Sequence, residues 1–454
     1  MLWAFLLIAA PADWVPARWP AADPASLELL KGAAVNCLLL ESRHWSADFS
    51  ARAASAGIAT LGVVRPADSL ERLPERLTQA KLNGAVLEGA FDEKSVAPLR
   101  AALEDSQLTL IELGPRVDMR FQSAAPIVGT FQGVWPGINE AEDGSAKAAP
   151  SGAPWIDTNS GFLRFARALS HAELWIAYAP PRNNVIPLAR YLQAIGDAGM
   201  VGARWVITFD PDFQARLLAN QTKARHDWQR MNEVLRFLEQ HRRWARLEPY
   251  GQLAILQDVD SGGLISGGIL DMIAVKHTPV RPVPGRLVTD TRMQGAQMAV
   301  NVDPTAIPEA GKDALRRFTR AGGTLLTAPP GWKFPPQRPD QITLDKGDIE
   351  KLDTIWKEVN SMTGRRNLGA RLFNVSSMLS NLVGGPGGRP LVLMLVNYSD
   401  YAVENIAAHV LGKYTRATLY EPGIAGRTLA PYDNEEGTGI DIDKVGPLAT
   451  LVLE

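Results

Sequence analysis

Carboxyl, amide and indole side chains gather in one long loop of this chain. The stretch from Phe131 to Phe165 is rich in Gly and Pro and carries Trp135, Trp155, Asp157 and Asn159. A loop longer than about 12–15 residues inside a compact domain is usually functional or disordered. Flat indole faces beside carboxyl and amide groups suit a polyhydroxylated ring, whose CH face stacks and whose hydroxyls hydrogen-bond. The loop therefore points to a carbohydrate-type cleft.

Further polar residues follow short apolar runs: Glu41, Arg43, His44 and Trp45 after VNCLLL, Glu88 after GAVL, and Glu112 and Arg116 around LTLIEL. Tyr178 and Arg182 follow ELWIA, and Asp210 and Asp212 follow ARWVITF. Hydrolysis of a glycosidic bond needs one carboxyl held protonated and a second held ionised. The catalytic candidates are Glu88, as general acid, with Asp157, Glu112 and Asp210. The substrate-binding candidates are Trp135, Trp155, Asn159, Tyr178, His44 and Trp45. Each has a structural alternative. Glu88 could be a salt-bridged strand end, and Asp157 could cap the helical pattern GFLRFARAL. Asp210 could shape the turn before Pro211, and the two tryptophans could plug a barrel mouth. Trp175 and Trp205 lie within strand runs and read as core. Asp258 and Asp260, in QDVDSGG, read as an Asx turn or as groups reaching toward a neighbouring site.

The elements that would position these residues alternate regularly. Candidate strands lie around Trp19 and at 35–40, 59–64, 84–88, 108–113, 126–131, 173–178 and 203–209. Near-continuous apolar strands joined by helices imply a parallel sheet. Intervening segments such as SLERLPERLTQAKL have the three- and four-residue spacing of amphipathic helices. Eight such strands predict a (β/α)8 TIM-type barrel, with residues at the C-terminal strand ends forming the site. A doubly wound open sheet is the alternative, although no Gly-rich dinucleotide fingerprint follows a strand.

A long helical pattern at 222–247 ends at Glu248-Pro249-Tyr250-Gly251, a stop signal and domain boundary. A second α/β unit follows, with QLAILQD, an apolar helix near 264–275, MAVNV, and DALRRFTRAGGTLLTAP, where Gly322-Gly323 ends a helix before a strand. After a helix at 348–363, short alternating segments predict a small antiparallel sandwich. The expected organisation is a barrel over 13–248, a flavodoxin-like α/β domain over 249–365 and a β-sandwich over 366–454.

Composition limits the function. With 454 residues, 46% hydrophobic and 21% charged, the chain has the make-up of a multidomain globular protein. A net charge of −2 argues against a nucleic-acid partner. The single cysteine, Cys37, excludes an internal disulfide and reads as a buried strand thiol. The scattered histidines lack metal-ligand spacing, and no cofactor is expected. A G-x-S-x-G elbow is missing, which removes the α/β-hydrolase esterases. Leu2 to Ala10 is an apolar run too short to span a bilayer. With Ala10-Pro11-Ala12 behind it, it reads as a signal peptide over residues 1–12, which predicts a periplasmic or extracellular protein; a buried first segment is the alternative.

The order of barrel, α/β unit with RRFTRAGGTLLTAPPGW, and sandwich ending in TLVLE resembles glycoside hydrolase family 42 β-galactosidases and allied barrel glycosidases. The resemblance implies a glycosidase acting on an oligo- or polysaccharide. It also implies a middle domain similar to class I glutamine amidotransferases that mediates homo-oligomers. It further implies an Asn-Glu pair after strand four and a glutamate after strand seven. Here Glu88 follows Leu87 instead of an asparagine, and strand seven ends Ala177-Tyr178-Ala179-Pro180 with no carboxylate. The middle domain has no cysteine, so amidotransferase chemistry is ruled out there. A non-catalytic carbohydrate-binding or scaffold protein with a degenerate barrel is the competing reading.

Overall fold

The computed structural model describes residues 8–136, 138–140, 146–148, 158–181, 184–258, 278–329, 346–375 and 377–454. The chain packs as two compact units. One comprises 1–135, 172–191 and 203–239, and the other 136–171, 192–202 and 240–454.

The first unit holds eight strands: β1 (Pro16–Arg18), β2 (Cys37–Leu40), β3 (Ala59–Val64), β4 (Gly84–Glu88), β5 (Thr109–Gly114), β6 (Ile127–Thr130), β7 (Glu173–Ala177) and β8 (Ala203–Val206). They pair in parallel and in chain order. A parallel bridge between Ala17 and Ile207 brings the last strand round to the first. There Arg18 N–H donates to Ile207 O at 2.8 Å and Ile207 N–H donates to Pro16 O at 3.1 Å. This is the expected TIM-type barrel.

Strand periodicity builds its interior. Cys37 and Leu39 on β2, Leu61 and Val63 on β3, Val86 on β4, Ile111 and Leu113 on β5, Trp175 on β7 and Val206 on β8 share one core. The alternate residues Leu38, Leu40 and Leu87 are buried as well. That two-sided burial explains why the strands read as continuous apolar runs. Each large apolar side chain so buried contributes about 1.5–3 kcal/mol. Helices α1 (Ala47–Ser55), α2 (Leu73–Gln79) and α3 (Glu93–Asp105) alternate with β2–β5. Ser46 and Asp92 cap α1 and α3, accepting from Phe49 N at 3.3 Å and Lys94 N at 3.3 Å.

The crossovers are not all α-helical. Between β5 and β6 only the 3-10 turn Arg116–Asp118 forms. That connection begins at Pro115, ends at Pro126 and is too short for a helix of several turns. At the other end of the strands, Ile8 and Ala9, inside the expected leader, pack against the barrel core. Trp14 Nε1 donates to Ala9 O at 2.8 Å.

The second unit includes helix α4 (Ser160–Leu169), the C-terminal part of α5 (Leu188–Gly199) and two further layers. A four-stranded parallel sheet has the order β10 (Val280–Pro284), β9 (Leu253–Gln257), β11 (Met298–Asn301), β12 (Thr324–Thr327). The helix Glu309–Arg320 carries the chain from β11 to β12. Beyond it, a six-stranded and a four-stranded antiparallel sheet share one core, with Leu393 and Leu451 from the first meeting Ile406 and Ile440 from the second. This is the expected sandwich. The apolar helix expected at 264–275 lies outside the described residues.

Candidate functional site

The barrel interior changes character at the C-terminal ends of its first four strands. Glu41 lies two residues beyond Leu39, Arg65 two beyond Val63 and Glu88 two beyond Val86, while Arg18 lies four beyond the core residue Trp14. The period of two that directs the apolar residues inward therefore directs these four inward as well. They form an alternating quartet. Arg65 donates to both oxygens of Glu41, from Nη1 at 2.5 Å and from Nη2 at 2.8 Å. Its Nη2 also lies 3.3 Å from Glu88 Oε2. Arg18 Nη1 lies 3.4 Å from Glu41 Oε1, and Arg18 Nη2 bonds Glu88 Oε1.

Exposure grades across the quartet: the side chain of Glu88 is 13% accessible and that of Arg65 is 43%. Glu88 is the floor and Arg65 the rim. Hydrogen bonding from Arg65, with the charges of Arg65, Arg18 and Arg43, holds the Glu41 carboxyl below its usual range despite partial burial. The same pairing raises the Arg65 guanidinium. Glu88 sits between two guanidiniums, those of Arg18 and Arg65. The salt-bridged strand end named as the alternative for Glu88 is present, at the inward face of the barrel mouth.

Aromatic rings fill the neighbouring part of the mouth. Trp135 meets Tyr178, Tyr191 and Trp205 edge-on, with centroids 6.0, 5.7 and 5.7 Å away. Trp205 and Tyr178 stack at 5.3 Å, and Trp205 Nε1 donates to Tyr178 O at 3.1 Å. Trp135 and Tyr178 thus belong to one aromatic cluster. Trp175 and Trp205 are buried, as expected. Arg116 is buried beside the mouth, with its N–H on Gln132 Oε1 and its Nε on Gln132 O, both at 2.7 Å.

The other expected residues are dispersed. Glu112 alternates with the inward Ile111 and Leu113, so it faces out and accepts from Arg100 of α3 at 2.8 and 3.0 Å. Trp45 packs over Gly62 on the outside of β3, beside Leu77 of α2, and its Nε1 donates to Leu40 O at 2.9 Å. His44 accepts from Arg43 Nε at 3.1 Å, and partial burial holds its imidazole below the ordinary value. Asp210 caps α6 (Pro211–Leu218), accepting from Phe213 N at 3.0 Å and from the Tyr191 hydroxyl at 2.6 Å. Asp212 pairs with Arg216 at 2.7 Å. Asp258 is buried in the second unit. Asn159 is also in the second unit, where its N–H and Nδ2 donate to Asp197 Oδ2 at 2.9 and 2.8 Å. Trp155, Asp157, Arg182 and Asp260 lie outside the described residues.

Sequence reasoning missed Arg18 and Arg65, although both follow the same two-residue step that locates Glu41 and Glu88. Among the described residues, no group of three His, Cys, Asp or Glu is placed to hold a metal ion. No helix among them is long and apolar enough to cross a membrane.

No protein-family model matches the sequence, and no curated protein matches it. The fold has counterparts among solved structures. It is similar to alpha-L-fucosidase isoenzyme 2 from Paenibacillus thiaminolyticus, with TM-score 0.60 and 9% identity over 99% of this chain and 98% of that one. A rhamnosidase from a Novosphingobium species aligns with TM-score 0.46 and 12% identity over 79% of this chain and 38% of that one. What the chain shares with the fucosidase is the fold.

Proposed function

We propose that this protein is a glycoside hydrolase that binds a glycan at the barrel mouth, with Glu88 and Asp157 as its carboxyl pair. The observation that carries the reading is the inward quartet of Arg18, Glu41, Arg65 and Glu88 on four successive strand ends, where barrel enzymes do chemistry. Arg65 and Glu41 offer donors and acceptors to sugar hydroxyls at the rim. Asp157, from the aromatic loop, is the proposed partner carboxyl, as base or as ligand to a substrate hydroxyl. The shared fold with a named fucosidase supports the class and guides the choice of probe.

A second reading has its own observation. Among the described residues, both inward carboxylates of the mouth are engaged by guanidiniums, which fits a barrel that holds a sugar without cleaving it.

The test is a panel of aryl glycosides, aryl α-L-fucoside included, and polysaccharides, run on the wild type, Glu88→Gln and Asp157→Asn. Hydrolysis abolished in either variant with the fold intact upholds the enzyme. No turnover, but saturable sugar binding lost in Arg65→Gln, selects the binding protein. Full activity in both carboxyl variants would remove this pair from the site. Export, and homo-oligomers formed through residues 249–365, belong to the same proposal; light scattering of a strict monomer would overturn the latter.

A further inference from the structure

Five arginines from distant parts of the sequence line one cavity of about 980 Å3 within the second unit. Arg164 and Arg167 come from α4, Arg246 from the turn Trp244–Arg246, Arg281 from β10 and Arg292 from the short helix Asp290–Met293. Among the described lining residues, Glu248 is the sole carboxylate. Part of the wall is a glycine turn, Gly384, Gly385, Gly387 and Gly388. Gly387 and Gly388 adopt φ of +66° and +75°, where a side chain is strained, and a Cβ on Gly388 would come within 2.9 Å of Tyr250. The wall stays bare, and the space beside the guanidiniums stays open.

Gathering these cations is costly. Burial first, and then the charges of Arg246 and Arg242, push the Arg167 guanidinium down to about 10. Burial also lowers Arg281, with Glu248 and Tyr250 acting in the opposite sense. Backbone carbonyls orient several of the arginines. Arg164 Nη2 donates to Ser380 O at 2.7 Å, Arg167 Nη2 to Gly202 O at 2.6 Å, and Arg281 Nη1 to Gln294 O. Planar guanidiniums held this way are suited to bidentate recognition of a tetrahedral oxyanion. The cavity is at the upper end of the range of about 300–1,000 Å3 usual for small-molecule sites.

We propose that this cavity binds a small ligand bearing phosphate or sulfate ester groups, received by Arg281 and Arg292 with Arg167 and Arg246 behind them. The inference is independent of the chemistry at the barrel mouth, since every lining residue lies in the second unit.

The test is calorimetric titration of the full chain with inorganic pyrophosphate, at an ionic strength fixed with sodium chloride. Saturable binding is expected, with Kd raised at least tenfold in Arg281→Gln/Arg292→Gln while the circular dichroism spectrum is unchanged. Should the double variant misfold, Arg292→Gln alone, on an exposed helix, should weaken binding severalfold. Competition by glucose 6-phosphate or by glucose 6-sulfate then tells which ester the site prefers, and either preference upholds the proposal. Absence of saturable binding, or equal affinity in the folded variant, would overturn it.

Discussion

Tyr191 and Asp210 are joined twice: the Tyr191 hydroxyl donates to Asp210 Oδ2 at 2.6 Å and accepts the Asp210 backbone N–H at 2.8 Å. Tyr191 is fully buried, and desolvation together with the neighbouring carboxylate holds its phenol in the protonated, donating form. The same carboxylate caps α6. The Asp210 side chain thus accepts three hydrogen bonds, from the Tyr191 hydroxyl, Phe213 N–H and Ile186 N–H.

Those bonds set the first expectation. Asp210→Ala removes a helix cap and strands a buried hydroxyl, and it should cost about 2 kcal/mol or more. Tyr191→Phe should cost about 1–3 kcal/mol. Denaturant melts measure both. A stable Asp210→Ala protein with no turnover would favour the catalytic reading of Asp210 over the structural one.

Glu41 predicts a pH dependence. Its carboxyl is held below the ordinary value of 4.5, chiefly by the Arg65 hydrogen bonds. A depressed folded-state value means that the pairing stabilises above the unfolded value and is lost as pH falls through the folded one. Wild type should exceed Glu41→Gln in stability near neutrality, and the gap should close in acid below that value. Melting temperatures of the two proteins across the acid range check this; a constant gap would show that the ion pair is not its source.

Asp197 predicts the opposite slope. It is fully buried, and desolvation raises its carboxyl against the lowering effect of the Tyr398 hydroxyl, 2.7 Å from Oδ1, and of Asn159. A raised folded-state value means stability that is complete in acid and lost as pH rises through it. Asp197→Asn lacks that slope, so its stability relative to wild type should rise as pH increases above the ordinary carboxylate value. Tyr398→Phe should cost about 1.5–3 kcal/mol by leaving a buried carboxylate one donor short.

Gly62 predicts a steric effect. A Cβ there would lie 2.5 Å from the Trp45 indole and 3.0 Å from Leu77. Gly62→Ala should destabilise by about 1–3 kcal/mol through overpacking. Thermal melts should show it, while any sugar binding should persist, because Trp45 stands outside the barrel. Loss of sugar binding with unchanged stability would restore Trp45 as a ligand contact.

The local repeat of the chain determined the architecture. Continuous apolar runs such as ATLGVV and GAVLE are strands at the residues expected, because two-sided burial writes itself into every position. Alternating segments such as GTGIDIDKV likewise announced the sandwich. Glu88 was legible as a strand end for the same reason. Pairing across space was decided by the tertiary structure. Glu112 and Glu88 look alike in sequence, yet the pleat sends one out to Arg100 and the other in between Arg18 and Arg65, because a one-residue change of phase reverses the face. Arg18, Glu41, Arg65 and Glu88 meet only because parallel strands bring residues some 20 apart into one layer. Asn159, next to the aromatic loop in sequence, is instead drawn to Asp197. A buried carboxylate requires donors wherever the fold can supply them, and that demand is not written in local spacing.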